Sequence, residues 1–180
     1  MVDGEIVASE QEDLGRRQSS ELPQMSERVM RGHAWESLDY VALTNGPGYF
    51  TGIRVGAAYA SGVAYASGAK IVPVSSLDVL SFGQKGKVLA VVYAGHGYVY
   101  AGCEGFLDAG EYTLEEVAEW RKANPDALAV SDDPERAGLE AVKVRPSIEA
   151  LCELAGKRID CAASPLELKI NYFRAPQGAN

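Results

Sequence analysis

Apolar residues along this chain switch between a period of two and a period near 3.6, and the switches mark its elements. Residues 4–9 (GEIVAS) alternate apolar and polar and predict a short strand or hairpin arm. Leu22, Met25 and Val29 recur at helical spacing and predict a helix over 20–31, with Ser20 as its cap and Pro23 in its first turns. Residues 40–43 (YVAL) form a strand that enters a glycine-rich turn, and a helix of small residues follows from about Ile53 to Ser67. A strand at 71–74 and a helix from Ser76 through Phe82 complete the first half. Two strands come next, at 87–94 and 98–103, with His96-Gly97 as the hairpin turn between them. Thr113 and Glu116 have capping-box spacing ahead of a helix ending near Ala123. Strands at 127–131 and 140–144 flank a short helix after Pro134. Ser147 caps a last helix through Ala155, and residues 168–174 return as a strand or extended arm. A boundary near 80–86 divides this pattern into two α/β lobes, 1–84 and 85–180.

Composition narrows the function classes. With 47% hydrophobic residues over 180 positions, the chain can bury a true core and is not globally disordered. Its 17 basic and 25 acidic residues give a net charge of −8, which repels a phosphate backbone and argues against nucleic-acid binding by this chain alone. Three cysteines (Cys103, Cys152 and Cys161) without a CxxC pair, behind a polar and acidic N-terminus, predict free thiols in a reducing cytoplasm. No apolar run approaches the ~18 residues of a membrane span.

The segment TNGPGYFTGIRVG, residues 44–56, carries the most information. A strand, a glycine turn and a helix start in that order invite a phosphate-binding reading, because glycines let backbone N–H groups approach an anion. Two templates fail. A Walker A loop needs a lysine that is missing here, and Gly46, Gly48 and Gly52 give GxGxxxG, one residue too long for a dinucleotide fingerprint. Pro47 also removes an amide donor. Gly46, Pro47, Gly48, Phe50, Thr51 and Gly52 therefore read as a structural turn that starts a buried helix. Within that helix Gly52, Gly56, Ala60, Ala64 and Gly68 recur every four residues and form one ridge. Such a ridge permits close backbone approach, either to this protein's own sheet or helix or to a helix of a partner, with Tyr59, Val63 and Tyr65 supplying contact area. Arg54 is the one charge near it, placed to pair with a partner carboxylate or to hold the turn.

At these residues the chain resembles the TsaB (YeaZ-type) family. The resemblance rests on GPG-Y-FTG-I-RVG at 46–56 and continues through IVPVSSLDVLS at 71–81. GRRQSSELPQM at 15–25 is similar to the family's basic-Ser-Glu-x-Leu-Pro helix entry, and NYFRAP at 171–176 to its closing segment. The resemblance implies an actin-like or sugar-kinase-like (RNase H-like) α/β fold of two lobes. It also implies a non-catalytic subunit of the machinery that makes threonylcarbamoyladenosine at adenosine 37 of tRNA, without a cofactor or metal of its own. Its implied partners are a TsaD-like catalytic subunit and a TsaE-like ATPase. The heterodimer with the TsaD-like subunit would use helices 20–31 and 53–67, giving Leu22, Met25, Val29, Gly52, Arg54, Gly56, Tyr59, Ala60, Val63 and Ala64 as interface residues.

The chain departs from the family pattern in three places. It opens at what resembles the third strand, so the usual first strands and their Asp-Thr-Ser turn are expected upstream of Met1 or are lost. It has Ser19-Ser20-Glu21 where the family often has His-Ser-Glu, and Tyr93-Ala94-Gly95 where it often has Asp-Ala-Arg. Two alternatives stay open: a small-molecule kinase or nucleotide-binding enzyme of the same fold, and a homodimer through the same seam. Other chemistry reads poorly. His33 and His96 give no HxxxH zinc pair, Cys103 reads as an inert strand cysteine, Asp132-Asp133 as a helix start, and Glu115, Glu116 and Glu119 as a solvated helix face.

Overall fold

A computed structural model describes residues 1–173. They form two compact units, each built of helices on a sheet. The first contains 1–45, 50–74 and 147–169, and the second contains 46–49, 75–146 and the described residues from 170. The sequence reading divides the chain once, near 80–86. In the structure the segment 147–169 returns to the first unit, where Ala163 exchanges both backbone hydrogen bonds with Ile71 at 2.9 Å.

In the first unit, β1 (Tyr40–Thr44) and β2 (Lys70–Val74) pair in parallel, with Tyr40 opposite Lys70 and Thr44 opposite Val74. A parallel pair needs a crossover, and α2 (Phe50–Ser67) supplies it, packing on both strands. Ile71, Val72 and Val74 are fully buried. α1 (Gln18–Val29) lies against α2, and α6 (Ile148–Gly156) also packs on both strands. The N-cap of α6 is Ser147, whose side chain accepts from the Ala150 N–H, as the sequence predicts. Among the described residues β1 pairs with β2 alone.

The second unit holds a five-stranded sheet in the order β5-β4-β3-β6-β7. β3 (Val88–Gly95), β4 (Tyr98–Cys103) and β5 (Leu107–Thr113) are antiparallel. β6 (Leu128–Ser131) runs parallel to β3, and β7 (Val142–Lys143) runs parallel to β6. His96 and Gly97 turn the first hairpin with φ of +52° and +81°, the paired left-handed geometry that matches strand twist. β3 is apolar without interruption because both its faces are covered. Leu89 and Val91 point to one cluster with Val99, Ala101 and Val117. Val88, Ala90 and Val92 point to another with Leu77, Leu80 and Val130. α3 (Ser76–Ser81) serves the second cluster, α4 (Leu114–Ala123) the first, and α5 (Pro134–Ala137) follows β6.

Several expectations are corrected. Residues 4–9 form no strand: Glu5 makes an isolated bridge to Val2, and Ile6 and Val7 stay exposed, so the alternation finds no partner strand among the described residues. α1 begins at Gln18 without a side-chain cap, and the Ser20 hydroxyl instead donates to the Arg17 carbonyl at 3.0 Å. Ser75, not Ser76, caps α3 by accepting from the Leu77 N–H. β5 was not foreseen, because an edge strand reading LDAGEYT shows neither alternation nor an apolar run. Leu168–Phe173 form no strand, although the Phe173 ring meets Tyr100 at 5.9 Å. Arg174, Ala175 and Pro176 of the closing motif lie outside the described residues.

The Thr113–Glu116 capping box is present in both directions, and the backbone N–H of Thr113 holds the Glu116 carboxyl below its ordinary pKa. Leu89→Ala, at a fully buried position, is expected to lower stability by about 2–5 kcal/mol in urea unfolding. Thr113→Ala is expected to cost about 1 kcal/mol through the lost cap.

Candidate functional site

α2 is made of small residues, so its packing is set by which of them face inward. Ala57, Ala60 and Ala64 do, at 4%, 7% and 0% exposure. The ridge singled out from spacing is therefore split. Ala60 and Ala64 are buried within their own unit, Gly52 and Gly56 are half-buried, and Gly68 lies past the helix end with φ +79°. The same four-residue spacing occurs a second time, at Ala58, Gly62 and Ala66, and these three are exposed beside Tyr65, itself 72% exposed. Sequence reasoning missed this second ridge although its signal is equally visible.

Leu22, Met25 and Val29 of α1 and Gly56, Tyr59, Ala60 and Val63 of α2 come together with the five residues of β1 to line an apolar cleft of about 470 Å³. Met25 is buried there, while Leu22, Val29, Tyr59 and Val63 are half-buried. Gly52, Arg54 and Ala64 do not line it. Arg54 is exposed and places its guanidinium over the Phe50 ring at 4.1 Å, within the first turn of α2. A cation on an aromatic face is attracted by the ring quadrupole, so here Arg54 braces the helix start. On the other side of α1 a second groove, of about 540 Å³, has Ala58, Gly62 and Ala66 as its floor and Tyr59, Val63 and Trp35 at its walls.

In the glycine turn, Gly46 has φ +99° and its carbonyl accepts from the Ser76 N–H at 2.9 Å. Pro47 is fully buried and follows a cis peptide bond. Just before the turn, the buried Asn45 donates its backbone N–H to Val74 O and its Nδ2 to Lys169 O. Next in the chain, Tyr49 packs on Arg136, whose guanidinium lies 4.9 Å from the Tyr49 ring and 5.0 Å from the Tyr93 ring. Burial raises the Tyr49 pKa, and the Arg136 charge partly offsets this. These interactions make Gly46, Pro47 and Gly48 a packed turn rather than an array of amides aimed at an anion. Phe50 and Thr51 are exposed at the start of α2.

The remaining candidates resolve simply. Cys103, Cys152 and Cys161 are free thiols, buried, half-buried and exposed respectively. His96 lies in the turn before β4 and Cys103 at the far end of that strand, which spans roughly 17 Å at strand spacing, so no nucleophile–base pair forms. Burial pushes the Cys103 thiol up, away from the reactive thiolate. Asp133 caps α5 by accepting from the Arg136 N–H, and burial raises the Asp132 carboxyl. Glu115, Glu116 and Glu119 are exposed on α4. Among the described residues no three His, Cys, Asp or Glu side chains are grouped to hold a metal, and no helix is long and apolar enough to cross a membrane. Iodoacetamide on the native protein is expected to alkylate Cys161 first and Cys103 only after unfolding. Equal labelling rates, read by mass spectrometry, would contradict the burial of Cys103.

Comparison with known proteins identifies the family. The profile described as "TsaD: tRNA N6-adenosine threonylcarbamoyltransferase" matches residues 5–164. An uncharacterized protein of Mycobacterium tuberculosis is 34% identical over 143 residues, covering 77% of this chain and 65% of the relative. One of Mycobacterium leprae is 32% identical over 141 residues, covering 77% of this chain and 39% of the relative, so the chain spans less than two thirds of these curated relatives. The tRNA threonylcarbamoyladenosine biosynthesis protein TsaB of Haemophilus influenzae is 36% identical over 61 residues, 33% of this chain and 26% of that protein. Among solved structures, a Pseudomonas aeruginosa protein with similarity to peptidase YEAZ superposes with a TM-score of 0.71 at 25% identity, covering 86% of this chain and 83% of that one. The fold is thus the mixed α/β, actin-like fold of YeaZ proteins. A match over most of the chain, together with these relatives, places it in the TsaD-type threonylcarbamoyltransferase family, in its TsaB (YeaZ-type) branch.

Proposed function

We propose that this chain is a non-catalytic scaffold subunit in the synthesis of threonylcarbamoyladenosine at adenosine 37 of tRNA. It pairs with a TsaD-like catalytic subunit through α1 and α2, is joined by a TsaE-like ATPase, and works in the cytoplasm without gripping tRNA itself. The observation that carries this reading is the outer side of α2, where small residues and half-buried Leu22, Val29, Tyr59 and Val63 beside α1 leave room for another helix. The net charge of −8 supports a subunit that serves tRNA chemistry without binding the phosphate backbone. The packed turn at Gly46–Gly48 supports a chain without its own nucleotide site, since Pro47 has no N–H and the Gly46 carbonyl is engaged.

Co-expression with the TsaD-like subunit of the same organism is expected to yield a stable pair on affinity purification, and no pair would sink the reading. Of the proposed interface residues, Gly56 is the cleaner probe. A side chain there meets no heavy atom within 4 Å outside its own turn, whereas Ala60 is buried and a larger residue would overpack the unit. Gly56→Leu is expected to weaken the pair with little change in melting temperature. ATP is expected to leave the melting temperature of the chain unchanged, because a ligand stabilises only a state that binds it. An ATP-dependent rise would favour the kinase-like alternative.

A further inference from the structure

Two tyrosine rings hold an arginine in the second unit. The Arg136 guanidinium lies over both, 4.9 Å from the Tyr49 ring and 5.0 Å from the Tyr93 ring, and all three residues belong to that unit. Elsewhere, Arg17 and Arg28 are neutralised by carboxylates, and Arg121 donates to the Glu140 carbonyl. The Arg136 guanidinium and the Tyr49 and Tyr93 hydroxyls enter no ion pair or hydrogen bond among the described residues. Stacking engages the flat faces of a guanidinium and leaves its in-plane N–H fork free. Carboxylates stand close by without pairing with that fork. Asp132 and Asp133 follow β6, and Asp133 accepts the backbone N–H of Arg136. The Tyr49 hydroxyl feels the Arg136 charge in one sense and those of Asp132 and Asp133 in the other. Groups of both signs therefore surround one hydroxyl, while Lys143 of β7 acts on Asp132 from the neighbouring strand.

The position of this cluster in the sheet is a second, independent pointer to a ligand. β3 and β6 are parallel neighbours, with Val91 opposite Ser131. Tyr93 lies two residues beyond Val91, and Asp132 follows Ser131, so both stand at the carboxyl ends of these strands. The chain leaves β3 for β4 on one side and returns through α4 to β6 on the other. Where neighbouring parallel strands connect in opposite directions, ligands bind outside their carboxyl ends.

We propose that this cluster binds a free α-amino acid in its dipolar form, with the carboxylate on Arg136 and the ammonium on Asp132. The guanidinium fork matches a carboxylate in its own plane, and the two tyrosine hydroxyls supply further donors. Asp132 keeps acceptor positions for an ammonium, since a carboxylate has about four of them. The same charges exclude other ligands. A plain anion meets Asp132, Asp133 and a chain of net charge −8, and a plain cation meets Arg136. A ligand that is neutral overall and charged at both ends avoids both penalties. This inference goes beyond the scaffold reading and does not depend on it.

The test is an NMR titration of the isotope-labelled full chain with each of the free L-amino acids. The tightest of them is expected to bind with a dissociation constant of about 1 mM and to shift the amides around Tyr93 and Asp132. Its N-acetyl derivative lacks the ammonium and its amide lacks the carboxylate, so each should bind at least about tenfold more weakly. Arg136→Lys keeps the cation and loses the fork, and should weaken the amino acid about tenfold with an unchanged melting temperature. Asp132→Asn should weaken the amino acid about tenfold and leave the N-acetyl derivative unaffected. Glu140→Lys, a charge reversal elsewhere in the second unit, should change nothing. If no free amino acid binds, the proposal is overturned. Equal binding of the N-acetyl derivative or of inorganic phosphate overturns it in favour of a simple anion site. Wild-type affinity in both Arg136→Lys and Asp132→Asn places the ligand elsewhere and also overturns it. Pairing with the TsaD-like subunit is read separately, so either result leaves the scaffold reading to its own experiment.

Discussion

The first unit depends on the close approach of α2 to the β1–β2 pair. Ala57, Ala60 and Ala64 make that approach possible, and the full burial of Ala64 shows how little space remains. A methyl group is the largest side chain that leaves the helix this near the strands, and each added methylene would force the helix away or strain its neighbours. The rotation of α2 about its axis follows from this contact. So does everything it presents outward: Ala58, Gly62, Tyr65 and Ala66 are exposed because the three alanines are not.

The second unit rests on a different device. β3 buries side chains on both faces, and its alternate residues feed two clusters of apolar side chains. It pairs antiparallel with β4 and parallel with β6, which makes it the centre of a mixed sheet. The turn that precedes α2 belongs to this unit through the Gly46–Ser76 hydrogen bond and the Tyr49–Arg136–Tyr93 stack. A glycine turn that looks in sequence like a phosphate cradle is therefore occupied by its own chain. β1, by contrast, has one strand partner among the described residues and borders the apolar cleft.

Legibility followed locality. The hairpin at His96-Gly97, the Thr113–Glu116 box and the Ser147 cap are decided within a few residues, and each stands where the sequence places it. The β1–α2–β2 crossover is also local, since one strand, one turn and one helix lead directly to the next strand. Failures came where a partner far along the chain decides the outcome. Residues 4–9 have a strand's alternation but no neighbouring strand to pair with among the described residues. β5 has a neighbour in β4 but little alternation, so pairing alone makes it a strand. The return of 147–169 to the first unit rests on contacts between positions some ninety residues apart, such as Ile71 with Ala163.

The candidate surface shows the same division most sharply. By itself, the sequence determined that α2 would be a helix of small residues beginning at a glycine turn, and that some face of it would meet another backbone closely. It also pointed to the family through the residues of that turn. It did not determine which face. Gly52, Gly56, Ala60 and Ala64 and the set Ala58, Gly62 and Ala66 have the same spacing, and periodicity cannot rank one above the other. Only the tertiary structure did so, by burying Ala60 and Ala64 in the first unit. The physical reason is that spacing defines ridges on an isolated helix, whereas their direction is set by packing against strands that local sequence does not encode.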